Sequence, residues 1–110
     1  MQIATRRLDN MTIFDVSGDV DLATSPELRK ALLRELREAH VPRVILNLKA
    51  VRYIDSSGVA SLVEGLKVSR DLRARLILFG LNTTVREVLQ LSRLLKIFEI
   101  YENEEQAVSP

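Results

Sequence analysis

Short apolar runs alternate with segments of helical periodicity along this chain, and that alternation constrains the fold more than any other feature. Residues 43–48 and 75–79 are typical of buried strands, and each run is followed by apolar residues at helical spacing. Strands separated by helices need crossover connections, which pair them in parallel. Residues 3–8 and 11–16 form two further strands whose connection, Asp9-Asn10, suits a tight hairpin. The pattern predicts an α/β fold with a small mixed sheet of four to five strands.

The first helix has two possible starts, and the residues leave both open. Ser25 could be the capping residue, with Pro26 in the first helical position. Alternatively, Thr24 and Glu27 form a capping box. After either start, the apolar stripe of the helix consists of Leu28, Ala31, Leu32, Leu36 and Ala39.

The remainder of the chain continues the alternation of strands and helices. A second helix is predicted over residues 57–72, and a third begins at Thr83. Residues 98–101 follow as a last strand or extended segment, whereas the polar residues 103–110 are expected to fray. A chain of 110 residues without a linker or an internal repeat is expected to form a single domain over residues 1–110.

Composition excludes several classes of function. The net charge of +1 favours neither nucleic acid nor an anionic membrane as a partner. The absence of cysteine excludes disulfides, thiolate metal ligands and a cysteine nucleophile, and it fits a reducing compartment. No apolar stretch approaches the ~20 residues of a membrane-spanning helix. Because the first residues also lack the layout of a secretion signal, we expect a cytoplasmic protein.

The run Asp-Ser-Ser-Gly at residues 55–58 holds most of the chemistry of the chain. It lies between an apolar strand and the second helix, where a hydroxyl group is near the positive end of the helix. On residue types alone, a serine there is either a helix N-cap or an accessible hydroxyl that a kinase modifies. A phosphate would add roughly −1.5 to −2 charges beside Asp55, Asp21 and Asp19, which would repel a docked partner.

Neither catalysis nor metal binding has support in the residues. A serine nucleophile needs a general base, and the only histidine, His40, is predicted in solvent near the far end of the first helix. One histidine, no cysteine and scattered carboxylates form no metal-ligand pattern, and the four glycines are too dispersed to cradle a cofactor phosphate. We therefore expect no enzyme activity, no metal and no cofactor. The basic residues of the first helix are interpreted as a solvated face.

Three stretches of the chain resemble the STAS domain of bacterial anti-sigma factor antagonists. Residues 18–28 resemble the loop into the first helix of the family, and residues 44–63 resemble its strand, phosphorylation site and second helix. Residues 78–98 resemble its closing strand and helix. The resemblance implies a STAS-like small mixed sheet with helices packed mainly on one side. It also implies a function in binding, without catalysis.

The same resemblance implies roles for individual residues. Ser57, the second serine of the motif, would accept a phosphate from an anti-sigma factor that is itself a serine kinase of the GHKL type. The unphosphorylated protein would bind this kinase and release a sigma factor, and the phosphorylated protein would dissociate. The partner-binding surface would comprise Asp21, Thr24, Asp55, Ser56, Ser57 and Gly58.

Other interpretations of the same residues differ in the partner or in the class of function. Within the family, the alternative is a STAS subunit of a phospholipid-trafficking ABC transporter or of a stress-signalling assembly, docking through the same face. A third interpretation is a small hydrolase with Ser57 as its nucleophile, which is disfavoured because no base is visible. An open edge strand would in addition permit self-association.

Overall fold

The computed structural model describes residues 1–110 and contains five strands and four helices in one sheet-based fold. In chain order they are β1 (Gln2–Leu8), β2 (Met11–Val20), α1 (Ser25–Arg37), β3 (Arg43–Ile54), α2 (Ser56–Asp71), β4 (Arg75–Phe79), α3 (Thr83–Leu91), β5 (Glu99–Tyr101) and α4 (Glu104–Val108). The strands lie in the sheet in the order β1-β2-β3-β4-β5. β1 and β2 are antiparallel, and each later strand is parallel to its neighbour. The predicted mixed sheet is confirmed.

The predicted hairpin joins β1 to β2 through the two residues Asp9 and Asn10. Leu8 pairs with Met11 at the closed end, so the loop has two residues. Asp9 has a φ of 54°, in the left-handed region that Asp and Asn tolerate better than most residues. The local residue types therefore account for the reversal of the chain at this point.

The main core lies between one face of the sheet and the three longer helices. Leu32 of α1 and Leu62 of α2 are fully buried in it, together with Leu46 of β3 and Leu78 of β4. Burial of one such side chain contributes about 1.5–3 kcal/mol. The helical periodicity in the sequence thus becomes a continuous apolar layer that fixes α1, α2 and α3 against the strands.

The other face of the sheet carries a smaller core, which corrects the expectation that residues 103–110 fray. The helix α4 places Ala107 over this face, where it is completely buried with Ile45 and Phe79. Asn103 caps the helix, since its side-chain oxygen accepts a hydrogen bond from the backbone N–H of Gln106 at 2.9 Å. One small buried residue and one cap hold this segment in place. Neither feature stands out in a polar sequence, so the helix was not predicted.

Two neighbouring strands, β2 and β3, extend further than the sequence predicted. Their added residues form the end of the sheet from which α1 and α2 begin. The strand β2 was expected to end at residue 16 but continues to Val20, and β3 continues from Leu48 to Ile54. The prediction stopped early because several residues of the added part of β3 are exposed, which breaks the apolar pattern. Register shifts beside Gly18, whose φ is 87°, keep the two strands paired.

The start of α1 differs from both predicted alternatives. Thr24 occupies the N-cap position, yet its side chain makes no capping hydrogen bond, and Ser25 is already the first helical residue. The Thr24–Glu27 capping box is wrong because the Thr24 N–H donates to Asp21 instead. The predicted stripe is wrong at Ala39, which lies beyond the helix end and is exposed.

No helix in the molecule is both long enough and apolar enough to cross a membrane.

Candidate functional site

The predicted site residues come together because β2 and β3 end side by side. Val20, the last residue of β2, pairs with Ile54, the last residue of β3. The Asp55 N–H then donates to the Val20 carbonyl at 3.2 Å, which prolongs the contact by one residue. The loop that leads into α1 and the turn that leads into α2 are therefore neighbours at the carboxyl ends of two parallel strands.

Asp55 is the capping residue of α2. Its Oδ1 accepts hydrogen bonds from the backbone N–H groups of Ser57 at 2.9 Å and Gly58 at 3.1 Å. The interpretation of a serine as the N-cap is wrong, because the carboxylate one position earlier takes the donors that a cap satisfies. α2 accordingly begins at Ser56, one residue before its predicted start.

The second oxygen of Asp55 joins the two loops. Asp55 Oδ2 accepts a hydrogen bond from the backbone N–H of Leu22 at 3.2 Å. One carboxylate thus orders the first turn of α2 and the loop before α1 together. A further link runs deeper, where the Ser61 hydroxyl donates to the Ser25 carbonyl at 3.2 Å.

The two serine hydroxyls are left unengaged by this arrangement. Ser56 is exposed in the first position of α2, and Ser57 is half-buried in the second. The backbone groups of Ser57 bond to Asp55 and Ser61, whereas its hydroxyl makes no hydrogen bond to the protein. Neither hydroxyl has a structural role in the chain that a chemical modification would break.

Gly58 lies beneath the serines and serves the packing of the helix. A Cβ at this position would stand 2.8 Å from the Val20 carbonyl oxygen and 2.6 Å from Cγ1 of Ile54. Such distances are shorter than van der Waals contact, so only glycine lets the first turn of α2 approach the strand ends. Gly58 is buried, and its part in the site is to position Ser56 and Ser57.

The loop before α1 is held by hydrogen bonds around Asp21 and Thr24. The Thr24 hydroxyl accepts from the Asp21 N–H and donates to the Asp19 carbonyl, both at 2.9 Å. The Asp21 carboxylate accepts from the N–H groups of Ala23 and Thr24. The hydrogen bond from the Thr24 backbone is the main reason that the pKa of Asp21 lies below its ordinary value, so Asp21 is a carboxylate at neutral pH.

Two exposed apolar side chains beside the site were missed by the sequence analysis. Leu22 is 75% exposed between Asp21 and Ala23, and Tyr53 is 49% exposed next to the strand ends. Single exposed apolar side chains are common at protein surfaces, and these two are noted because they lie beside the candidate site. A signal existed for Leu22, since a leucine within a short polar loop has no helical or strand face through which to reach the core.

The structure brings no histidine to the serines. His40 is exposed between α1 and β3, before the first residue of β3, whereas Ser57 follows the last residue of that 12-residue strand. The only histidine and the predicted site therefore lie at opposite ends of β3. No group of three or more His, Asp or Glu side chains is placed to hold a metal ion. The geometry places the Ser57 side chain beside the Asp55 carboxylate at the end of β3 opposite His40.

Fold and site together define a small α/β domain in which two helix N-termini at one end of a mixed sheet form a surface that carries serine and aspartate. The chain belongs to the STAS domain family, which it matches over residues 2–107. The resemblance found in the sequence is thereby confirmed, and so is the expected STAS-like sheet.

Individual relatives cover nearly the whole chain. It is 33% identical over 101 residues to the anti-sigma-B factor antagonist of Listeria monocytogenes, a match that spans 91% of this chain and 86% of that protein. An anti-sigma factor antagonist from Mycobacterium paratuberculosis has a similar structure, with a TM-score of 0.86 at 21% identity over 97% of this chain and 90% of that one. The structure of the Bacillus protein SpoIIAA in its phosphorylated form has a TM-score of 0.76 at 21% identity. The match covers 97% of this chain and 96% of that one.

Proposed function

We propose that this protein is an anti-sigma factor antagonist whose binding is switched off by phosphorylation of Ser57. The Listeria relative is named an anti-sigma-B factor antagonist, and SpoIIAA exists in a phosphorylated form. The observation that carries the proposal is the Ser57 hydroxyl, which is half-buried, free of hydrogen bonds and next to the Asp55 cap. Ser57 is partly exposed, so we expect a kinase to reach its hydroxyl, and no hydrogen bond of the fold depends on that hydroxyl.

The electrostatics of the first turn of α2 explain how a phosphate would act. Phosphorylation adds roughly −1.5 to −2 charges. The N–H groups of Ser57, Gly58 and Val59 are already bonded to Asp55, so they are not available to neutralise a phosphate on Ser57. The new charge therefore stays at the surface beside a carboxylate, where it opposes any partner that was complementary to the unmodified serine.

The proposed partner is an anti-sigma factor that is also a serine kinase of the GHKL type. The surface offered to it comprises Asp21, Thr24, Asp55, Ser56 and Ser57, with Leu22 and Tyr53 as apolar contacts and Gly58 as the buried support. Binding of the unmodified protein to the kinase would release a sigma factor, and phosphate transfer would end that binding. The chain acts as the substrate and ligand of the kinase, without catalysis of its own, in the cytoplasm.

A phosphorylation assay with matched alanine variants tests the assignment of the acceptor. The protein is incubated with a candidate GHKL kinase and ATP, and the modified residue is mapped by mass spectrometry. We expect one phosphate on the wild type and on Ser56→Ala, and none on Ser57→Ala. Phosphate incorporation that persists in Ser57→Ala would overturn the assignment.

The same preparation separates sigma-factor regulation from the transporter alternative. A STAS subunit that docks on a transporter would bind a permease and would not require the kinase as a partner. Copurification with a permease, together with no measurable binding to any GHKL kinase, would favour that alternative. The hydrolase interpretation predicts ester cleavage that Ser57→Ala abolishes, and it is disfavoured by the position of His40 at the other end of β3.

A further inference from the structure

The outer edge of β1 is a surface that the proposed function does not use. β1 lies at the end of the sheet, with β2 as its single neighbour. Because no strand lies on its outer side, the outward N–H and C=O groups of a full-length strand are unpaired in the sheet, and six of the seven residues of β1 are exposed. The opposite edge is β5, whose three residues are too few for a comparable ladder of hydrogen bonds.

Most of the features that usually protect an edge strand are missing from β1, and its two arginines are the exception. The strand contains no proline and no lysine, and its pairing with β2 runs without a bulge from Gln2 to Leu8. Its two charges are occupied within the chain. Arg6 contacts Asp15 at 2.6 Å and Glu104 at 2.7 Å on one face of the sheet, and Arg7 forms an ion pair with Glu35 on the other. Neither arginine presents an unpaired charge that would repel a second strand.

We infer that β1 pairs with β1 of a second copy of this chain, antiparallel and about a two-fold axis at Thr5. In this register the facing pairs are Gln2 with Leu8, Ile3 with Arg7, Ala4 with Arg6, and Thr5 with itself. All seven residues are paired, and facing threonines are a favourable cross-strand pair. A register centred on Arg6 would place like charges directly opposite each other, and one centred on Ala4 would pair only residues 2–6.

The assembly closes at two copies. A two-fold contact uses the same edge of both chains, so the dimer retains only its two short β5 edges. A single seven-residue ladder is small beside the surface that stable dimers bury, and the dimer therefore depends on protein concentration. The Ser57 site lies on α2 and takes no part in the contact. An experiment can therefore contradict this inference without contradicting the proposed function, and the reverse.

Charge complementation at Thr5 provides a direct test. Sedimentation velocity of the wild type over a range of concentrations should show the mass rising from the 12.5 kDa of one chain toward twice that value. Thr5→Lys alone and Thr5→Glu alone should each remain at the monomer mass, because each places like charges opposite one another. An equimolar mixture of the two should recover dimers. The exposed Gln90→Lys on α3 is the matched control and should behave as the wild type.

Three results would overturn the inference. The first is a wild type that stays at the mass of one chain at every concentration. The second is a dimer that Thr5→Lys and Thr5→Glu leave unchanged, which would locate the contact elsewhere. The third is a mixture of the two variants that stays monomeric while circular dichroism shows both to be folded.

Discussion

The N-termini of α1 and α2 lie side by side at one end of the sheet, yet they are built differently. The start of α2 is fixed by the Asp55 carboxylate above and by the absence of a side chain at Gly58 below. The start of α1 has no side-chain cap, and its loop is held by internal hydrogen bonds of Asp21 and Thr24. We infer that the serines lie on the more rigid of the two helix starts, whereas the loop beside them leaves Leu22 exposed.

The largest expected effect concerns the support under α2. Gly58→Ala should lower the free energy of unfolding by about 3 kcal/mol, which is the upper end of the usual cost of overpacking a core. The cost should be high because the added Cβ would meet the backbone oxygen of Val20, which cannot move aside as a side chain can. Gly65→Ala is the matched control in the same helix. Its Cβ would meet only side-chain atoms of Leu32 and Leu76, at 3.1 and 3.4 Å. The gain in helix propensity should offset that contact to within about 1 kcal/mol.

Urea denaturation of both glycine variants measures this difference. Equal stabilities of Gly58→Ala and Gly65→Ala would show that the strand ends can yield. The start of α2 would then not be the rigid element of the pair.

The second expected effect concerns the cap itself. Asp55→Ala should cost about 1–2 kcal/mol, because the N–H groups of Ser57 and Gly58 lose their acceptor. Hydrogen exchange should accelerate at those two amides and at Leu22. Thr24→Ala is the comparison at the start of α1. Exchange at Ser57 and Gly58 that is as slow in Asp55→Ala as in Thr24→Ala would contradict the capping role.

Much of the fold was predictable from the sequence because large apolar residues repeat at strand and helix periods. Leu32, Leu62 and Leu78 occupy the core that their spacing indicated. The ends of elements were not predictable in the same way, since they depend on contacts between distant segments. The pairing of Val20 with Ile54 prolongs two strands through exposed residues, and the burial of Ala107 orders a polar terminus.

The candidate site was predictable as a group of residues but not in its internal roles. The motif at residues 55–58 and the loop at residues 21–24 were identified together, and the structure makes them neighbours. Which residue caps α2 was not decided by residue type, since aspartate and serine are both good caps. The buried position of Gly58 and the exposure of Leu22 follow from the approach of the strand ends, which only coordinates show.

The third expected effect concerns the charge on the rigid element. Ser57→Asp should weaken binding to the anti-sigma factor at least ten-fold, or about 1.4 kcal/mol, because it adds a charge beside Asp55. Ser57→Asn has nearly the same shape without the charge and should bind within about three-fold of the wild type. Isothermal titration calorimetry compares the two. Equal losses in both variants would mean that bulk, and not charge, disrupts the contact.

The smallest expected effect concerns the loop before α1. The pKa of Asp21 is lowered in the folded protein, mainly by its hydrogen bond from the Thr24 backbone. The carboxylate therefore stabilises the fold at pH values above 3.8, the ordinary pKa of the group. That contribution is lost as the pH falls through the lowered pKa. The stability difference between the wild type and Asp21→Asn should therefore be constant from pH 7 to about pH 5 and should shrink as the pH falls through 3.8 toward the lowered pKa. Denaturation at a series of pH values checks this, and a difference independent of pH would contradict it.

The most direct test of the account is the affinity of the wild type for its anti-sigma factor before and after stoichiometric phosphorylation of Ser57. We expect the phosphorylated protein to bind at least ten-fold more weakly while its urea unfolding midpoint stays unchanged, because the Ser57 hydroxyl makes no hydrogen bond in the fold. Equal affinity of the two forms would contradict the proposed switch. A loss of affinity accompanied by unfolding would contradict the claim that the phosphate acts on the contact alone.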